Sequence, residues 1–132
     1  MGFFSRKITT DKIIDSLVDS FEQDYRMVSN GLKDLLKSES FNKSQDVEIA
    51  VICVLAIGWA LSALRDHPKT ASILGGFQHS IFDQYFLDAE ARTSAKELFF
   101  VRYAEYAEVL DPQNEDIASH VGQIFCTHFF ER

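Results

Sequence analysis

At 132 residues, 46% of them hydrophobic and 25% charged, the chain has the length of one domain and the make-up of a globular one, with no stretch biased enough to stay disordered. Its net charge of −7 falls mainly on the second half: residues 66–132 hold eleven acids against five bases, and the span from Glu105 to Glu131 contains six carboxylates and no lysine or arginine. Phosphate backbones are held by clustered positive charge, so this composition argues against a nucleic-acid partner and in favour of a basic protein or a cation.

The chain opens with Met1-Gly-Phe-Phe and then Ser5-Arg-Lys7, too little apolar length for a secretory signal, which points to a cytoplasmic protein. N-myristoylation needs a Ser or Thr where Arg6 stands, so that pattern is not met. Residues 1–9 read as a flexible segment ahead of a single helical domain spanning 10–132. Cys53 and Cys126 read as small buried hydrophobes, not as a disulfide pair.

From Thr10 to about Lys37, apolar residues recur at Ile14, Val18, Phe21, Tyr25, Val28, Leu32 and Leu35 in alternating steps of four and three. That is a heptad seam on one helix, with Thr10 as its cap and Asp11 and Asp15 near the positive end of its dipole. Ile13, Leu17 and Leu36 widen the seam beyond what one intramolecular contact needs, so the seven seam residues form a candidate self-association face. Asn30-Gly31 is a point where this helix is expected to bend or break, because Asn-Gly favours a left-handed stop. The polar stretch from Ser38 to Gln45 reads as a loop.

Between Ile49 and Leu64 lie sixteen consecutive uncharged residues. A bilayer span takes ~20 apolar residues and a core strand ~4–8, so this run fits a helix, about 46–65, enclosed by other helices. Pro68 ends it. Trp59 is expected to be buried, and Ala56, Ala60 and Ala63 to form a face for close approach of a neighbour.

Thr70 can cap a third helix reaching about Leu87, with Leu74, Phe77, Ile81 and Tyr85 on one face and Gly75-Gly76 letting two helices touch. Asp88 caps a fourth, to Leu110, with an inward stripe of Ala95, Phe99, Tyr103, Tyr106 and Leu110 while Glu97, Glu105 and Glu108 face elsewhere. Asp111 then caps a fifth that begins at Pro112 and continues through Ile117, Val121, Ile124 and Phe125. The fold class is all-α: a single-domain bundle of about five helices around a hydrophobic central one, its core rich in the chain's twelve phenylalanines.

Chemistry is sparse. His79/Asp83 and Asp116/His120 stand at i and i+4, two potential ligands each where zinc or iron needs at least a third, and the Glu-x-x-His pairs of di-iron bundles do not occur. Cys126 and His128, two apart on a helix, point in different directions. No serine stands in a Gly-x-Ser-x-Gly turn, and Gly75-Gly76 lacks the lysine and hydroxyl of a phosphate loop. Neither a catalytic residue, a metal ligand nor a cofactor is assigned.

The segment Tyr103-Ala-Glu-Tyr-Ala-Glu-Val-Leu-Asp-Pro112 resembles the helix-to-helix junction of a tetratricopeptide repeat, with Ala107, Val121, Gly122 and Phe125 at matching distances from Pro112. Ala91 and Ala104 stand where the repeat carries a tyrosine and a phenylalanine, and no second copy follows at its period. The resemblance implies a helical hairpin across this junction.

The reading that follows is a non-catalytic cytoplasmic interaction or regulatory module, binding a protein partner or a second copy of itself. One version is immunity-like, an inhibitor of a basic toxin acting through the acidic residues Glu105, Glu108, Glu115 and Asp116. A second class is a binder of an apolar ligand or haem in a Phe-rich core pocket, with His79 or His128 as axial ligand. A third is a membrane-associated accessory protein using Met1–Lys7 as an apolar and basic foot, which would bind weakly alone.

Overall fold

In the computed structural model the described residues are 9–62, 69–86, 88–110, 113 and 115–131. They form five helices, α1 (Thr10–Leu36), α2 (Lys43–Ser62), α3 (Thr70–Tyr85), α4 (Ala89–Val109) and α5 (Ile117–Phe129), and no strand among them. The all-α bundle with a central hydrophobic helix is therefore what the chain adopts. α2 packs against each of the other four helices, while α1, α3, α4 and α5 touch in that order around it. The expected N-terminal segment falls, apart from Thr9, outside the described residues.

The cap of α1 is Thr9, one residue earlier than expected: its hydroxyl accepts from the Lys12 amide at 3.2 Å. Asn30-Gly31 neither bends nor stops the helix, and Gly31 keeps a negative φ. A glycine inside a helix costs ~1 kcal/mol, which the inward packing of Val28, Ser29 and Leu32 on either side outweighs. The left-handed stop falls instead on Lys37 (φ 53°, ψ 43°).

α2 starts three residues before the expected Asp46, because Asn42 and Gln45 cap it reciprocally: each side-chain oxygen accepts from the other's amide, at 2.8 and 3.1 Å. Its middle is wholly enclosed, from Glu48 through Leu55 apart from half-buried Ile52. Towards its C-terminus the expectation fails. Ala56 and Ala60 are exposed, and Trp59 is 49% exposed; Ala63, Pro68 and the expected end of the helix near residue 65 lie outside the described residues. The close approach occurs on another face, at Gly58, where an added Cβ would stand 3.3 Å from Leu74 Cδ1. α2 is also long and apolar enough to cross a membrane by length and composition, a test that an enclosed core helix passes equally.

In α3 the first helical residue is Thr70 itself and no side chain caps it; Ile73, Phe77, Ile81 and Phe82 are buried, whereas Tyr85 is largely exposed. The glycine pair does let helices touch, at Gly76, whose absent Cβ would collide with Ile14 Cδ1 of α1; Gly75 has open space. α4 begins as expected, Asp88 accepting from the Ala91 amide at 3.0 Å. Its inward stripe differs by one position: Arg102, not Tyr103, lies between Phe99 and Tyr106. Tyr103 and Phe100 are exposed. α5 begins at Ile117, later than Pro112; Asp111 and Pro112 are outside the described residues.

The core is aromatic, as the composition predicts. Phe82 meets Phe99 edge-on at 5.6 Å, Phe125 stacks on Phe129 at 5.2 Å, and Phe41 of the first loop meets Phe129 edge-on at 5.1 Å. Cys53 belongs to it, its thiol pushed up to about 12 by burial, then by Asp24. Cys126 does not: it is exposed, and both cysteines are free.

Candidate functional site

Two polar features stand out against this core. The first is a chain of charges joining three helices. Glu48 of α2, 1% exposed, faces Arg102 of α4, 9% exposed. The guanidinium donates from Nε to both carboxylate oxygens, at 2.8 and 3.1 Å, and Nη2 lies 2.7 Å from Oε1. Nη1 reaches Glu105 Oε1 at 3.1 Å, and Glu105 Oε2 lies 2.7 Å from Nε2 of His128 on α5. His128 Nδ1 is 3.4 Å from Glu131.

Burial alone would lower the Arg102 pKa, but its bonds to Glu48 and Glu105 outweigh that and raise it. The hydrogen bond with His128 holds the Glu105 carboxyl below its ordinary range, against burial and with help from both cationic neighbours. Burial likewise opposes the His128 imidazolium, and Glu105 and Glu131 overcome it, raising its pKa. The Tyr106 hydroxyl lies fully buried next to this chain without a hydrogen-bond partner, and burial, then Glu48, push its pKa up. Glu48, Arg102 and His128 are held by their neighbours and turned inward, with Glu105 and Glu131 on the solvent side, so the arrangement clamps α2, α4 and α5 together.

The second feature is open to solvent. Where the N-termini of α2 and α4 meet the C-terminal end of α3, a groove runs over a floor of Val47, Phe86 and Ala91, with Lys43 and Asp88 on its rim. One end, of about 560 Å³, continues along Ser44, Glu90, Ser94, Ala95 and Leu98. The other, of about 370 Å³, is walled by Phe21 and Tyr25 of α1, Tyr85 of α3, and Asp46 and Ala50 of α2. One phenol there donates to a carboxylate, Tyr85 to Glu22 at 2.5 Å, and burial first, then the neighbouring Asp46, takes the Tyr25 pKa up to about 12. Apolar floors with a few placed polar groups are the usual make-up of binding sites.

The residues singled out from sequence fall elsewhere. Of the α1 seam, Val18 and Phe21 are in the core and Ile14, Tyr25, Val28 and Leu32 pack against it, leaving Leu35 exposed at 77%; the face is used inside the monomer. Among the acidic quartet, Glu105 is taken up by Arg102 and His128, whereas Glu108 and Glu115 are exposed and Asp116 stands at the N-cap position of α5. His79, 68% exposed at its side chain, pairs with Asp83 at 2.8 Å, and His128 is held by two carboxylates. The pocket lined by Val54, Ile81, Phe82 and Phe99 within the aromatic core holds about 10 Å³, room for about one water and not for a haem or other sizeable ligand. No cluster of three or more metal-ligating side chains occurs among the described residues.

Sequence reasoning missed Arg102 and the groove. Arg102 was visible in principle: the steps 95, 99, 102, 106 continue one helical face, and an arginine on such a face demands a buried acid. The groove is assembled from four separate segments and has no local signature. No protein-family model, curated protein or solved structure matches the chain.

Proposed function

We propose that the chain is a non-catalytic module that binds another protein, and that the groove between the N-terminal ends of α2 and α4 is where it does so. The observation carrying this reading is the groove itself: an apolar floor open to solvent, continuous over both ends, with charged residues on its rim and, at Asp46, in its wall. That is the layout of a protein interface, with an apolar centre and a polar edge. The acids Asp46, Asp88 and Glu90 against Lys43 favour a basic partner surface, in keeping with the net charge of −7. The reading takes over the interaction function expected from sequence and moves its site from the α1 seam and Glu105 to these residues. An immunity-like inhibitor of a basic protein is one form of it.

Photo-crosslinking from Leu98 in cells that make the protein tests the proposal. One defined adduct is expected, absent when the crosslinker is placed at exposed Thr127 on α5, and lost when exposed Ser94 is changed to Arg without change in helicity. The partner so identified should form a complex with the purified chain that Ser94→Arg also abolishes. A complex indifferent to Ser94→Arg would rule the groove out.

A second copy of the chain is the second reading, supported by Phe100 and Tyr103, 67% and 49% exposed and one turn apart on α4. Large exposed apolar neighbours mark contact surfaces. A sedimentation mass that is dimeric and becomes monomeric in Phe100→Asp would favour it over the groove.

A further inference from the structure

The groove's two ends differ, and the difference bears on what the partner must present; the inference therefore rests on the groove being the binding site. We propose that the end walled by Tyr25, Tyr85 and Phe86 receives a single basic side chain, a lysine or arginine of the partner, with its cationic head between those rings and the carboxylates of Asp46 and Asp88.

The rings supply one half of the argument. A cation is drawn to the electron-rich face of an aromatic ring, and the attraction grows as water is excluded. The Tyr85 phenol donates to Glu22, which shifts electron density into its ring and fixes its tilt, and Tyr25 stands beside it on the same wall. Phe21, edge-on to Tyr85 at 5.3 Å, holds the wall from behind.

The carboxylates supply the other half. Asp88 uses Oδ2 to cap α4 and keeps a second oxygen for a further donor, and the Asp46 carboxylate lines the same end of the groove beside Tyr25. Lys43 is the base on this end of the groove among the described residues; it is exposed on the rim, where its long stem keeps the ammonium in water. Arg26 and Lys33 lie beyond the Tyr25–Tyr85 wall, in the adjoining hollow. The cavity of about 370 Å³ has room for a four-carbon chain with its head group.

The test uses the full chain and small probes. n-Butylammonium, n-butylguanidinium, butanol and butyrate are titrated separately while the backbone amides are followed by NMR. The two cations are expected to give saturable shifts centred on Asp46, Tyr85 and Ala91, and the neutral and anionic probes none. Asp46→Asn and Tyr85→Leu, both at solvent-accessible positions, should each weaken the cations by about 2- to 30-fold while the remaining amide pattern stays folded. Equal shifts from all four probes, or non-saturating shifts from the cations, would overturn the proposal. The groove reading is tested apart from it. Failure of the cations with Ser94→Arg still abolishing the partner complex removes only the basic-residue subsite, whereas a complex surviving Ser94→Arg removes the groove.

Discussion

The two halves of α2 reverse the usual relation between polarity and burial. In the first half a carboxylate, Glu48, is 1% exposed; in the second the chain's one tryptophan, Trp59, is 49% exposed, with Ala56 and Ala60 open to solvent beside it. Neither follows from the residue's own hydrophobicity. Glu48 is inside because α4 brings Arg102 to it with two hydrogen bonds, and Ile49, Ala50 and Val51 beside it are buried as well. At the other end α3 comes close at Gly58 and leaves the opposite face uncovered. Burial on this helix is set by which neighbour arrives, and the neighbour at the charged end also ties α5 into the bundle.

The contrast can be broken most forcefully at Arg102. Arg102→Leu leaves Glu48 buried without its partner and is expected to cost about 3–5 kcal/mol by chemical denaturation, since removing one member of a buried pair strands the other. An effect below about 1 kcal/mol, the size of a surface pair, would mean that Glu48 reaches water.

A smaller effect is expected from pH. The pKa of His128 is raised in the fold above its ordinary 6.5, so its contribution is complete below that value and is lost as pH rises through the folded pKa. Glu105 is lowered from 4.5, so its contribution is present above 4.5 and is lost as pH falls through the folded value. The α4–α5 contact is thus strongest between the two ordinary values. Denaturation midpoints across pH should show the loss on the alkaline side, and His128→Gln should flatten it.

Two glycines on α3 sharpen the role of close approach. Gly75→Ala, into open space, should raise stability by about 0.5–1 kcal/mol through helix propensity. Gly76→Ala should bring no such gain, because its Cβ meets Ile14 Cδ1 and the α1–α3 contact must repack. Equal responses in thermal melts would show that these helices are further apart than described.

The smallest effects belong to the open end of α2. Ala60→Leu should change stability by no more than about 0.5 kcal/mol, as exposed substitutions do. Trp59 should emit at water-like wavelengths and be quenched readily by acrylamide.

How much of this was legible in the sequence follows from what kind of physics set each feature. The five helices and the central place of α2 were readable because periodicity and a long uncharged run are local signals. Asp88 was readable as a cap for the same reason. The uninterrupted passage of α1 through Asn30-Gly31 was not, since the local preference to stop is overridden by the burial of Ser29 and the packing of Val28 and Leu32. Ala56, Trp59 and Ala60 were misplaced because an all-apolar helix has no pattern telling its covered faces from its open one. The seam on α1 was read correctly as apolar, yet a sequence does not distinguish a face packed on α2 and α3 from one awaiting a second copy. The groove joins α1, α2, α3 and α4, and its acids Asp46 and Asp88 each looked like an ordinary helix start.

A double-mutant cycle at Glu48 and Arg102 tests most directly whether the arriving partner sets burial on α2. Glu48→Leu and Arg102→Leu should each destabilise the fold, and the double variant, with both charges replaced by apolar side chains, should regain most of the loss, a coupling of about 3 kcal/mol or more. Two single losses that simply add in the double variant would contradict the account, because Glu48 and Arg102 would then not depend on each other for their place in the core.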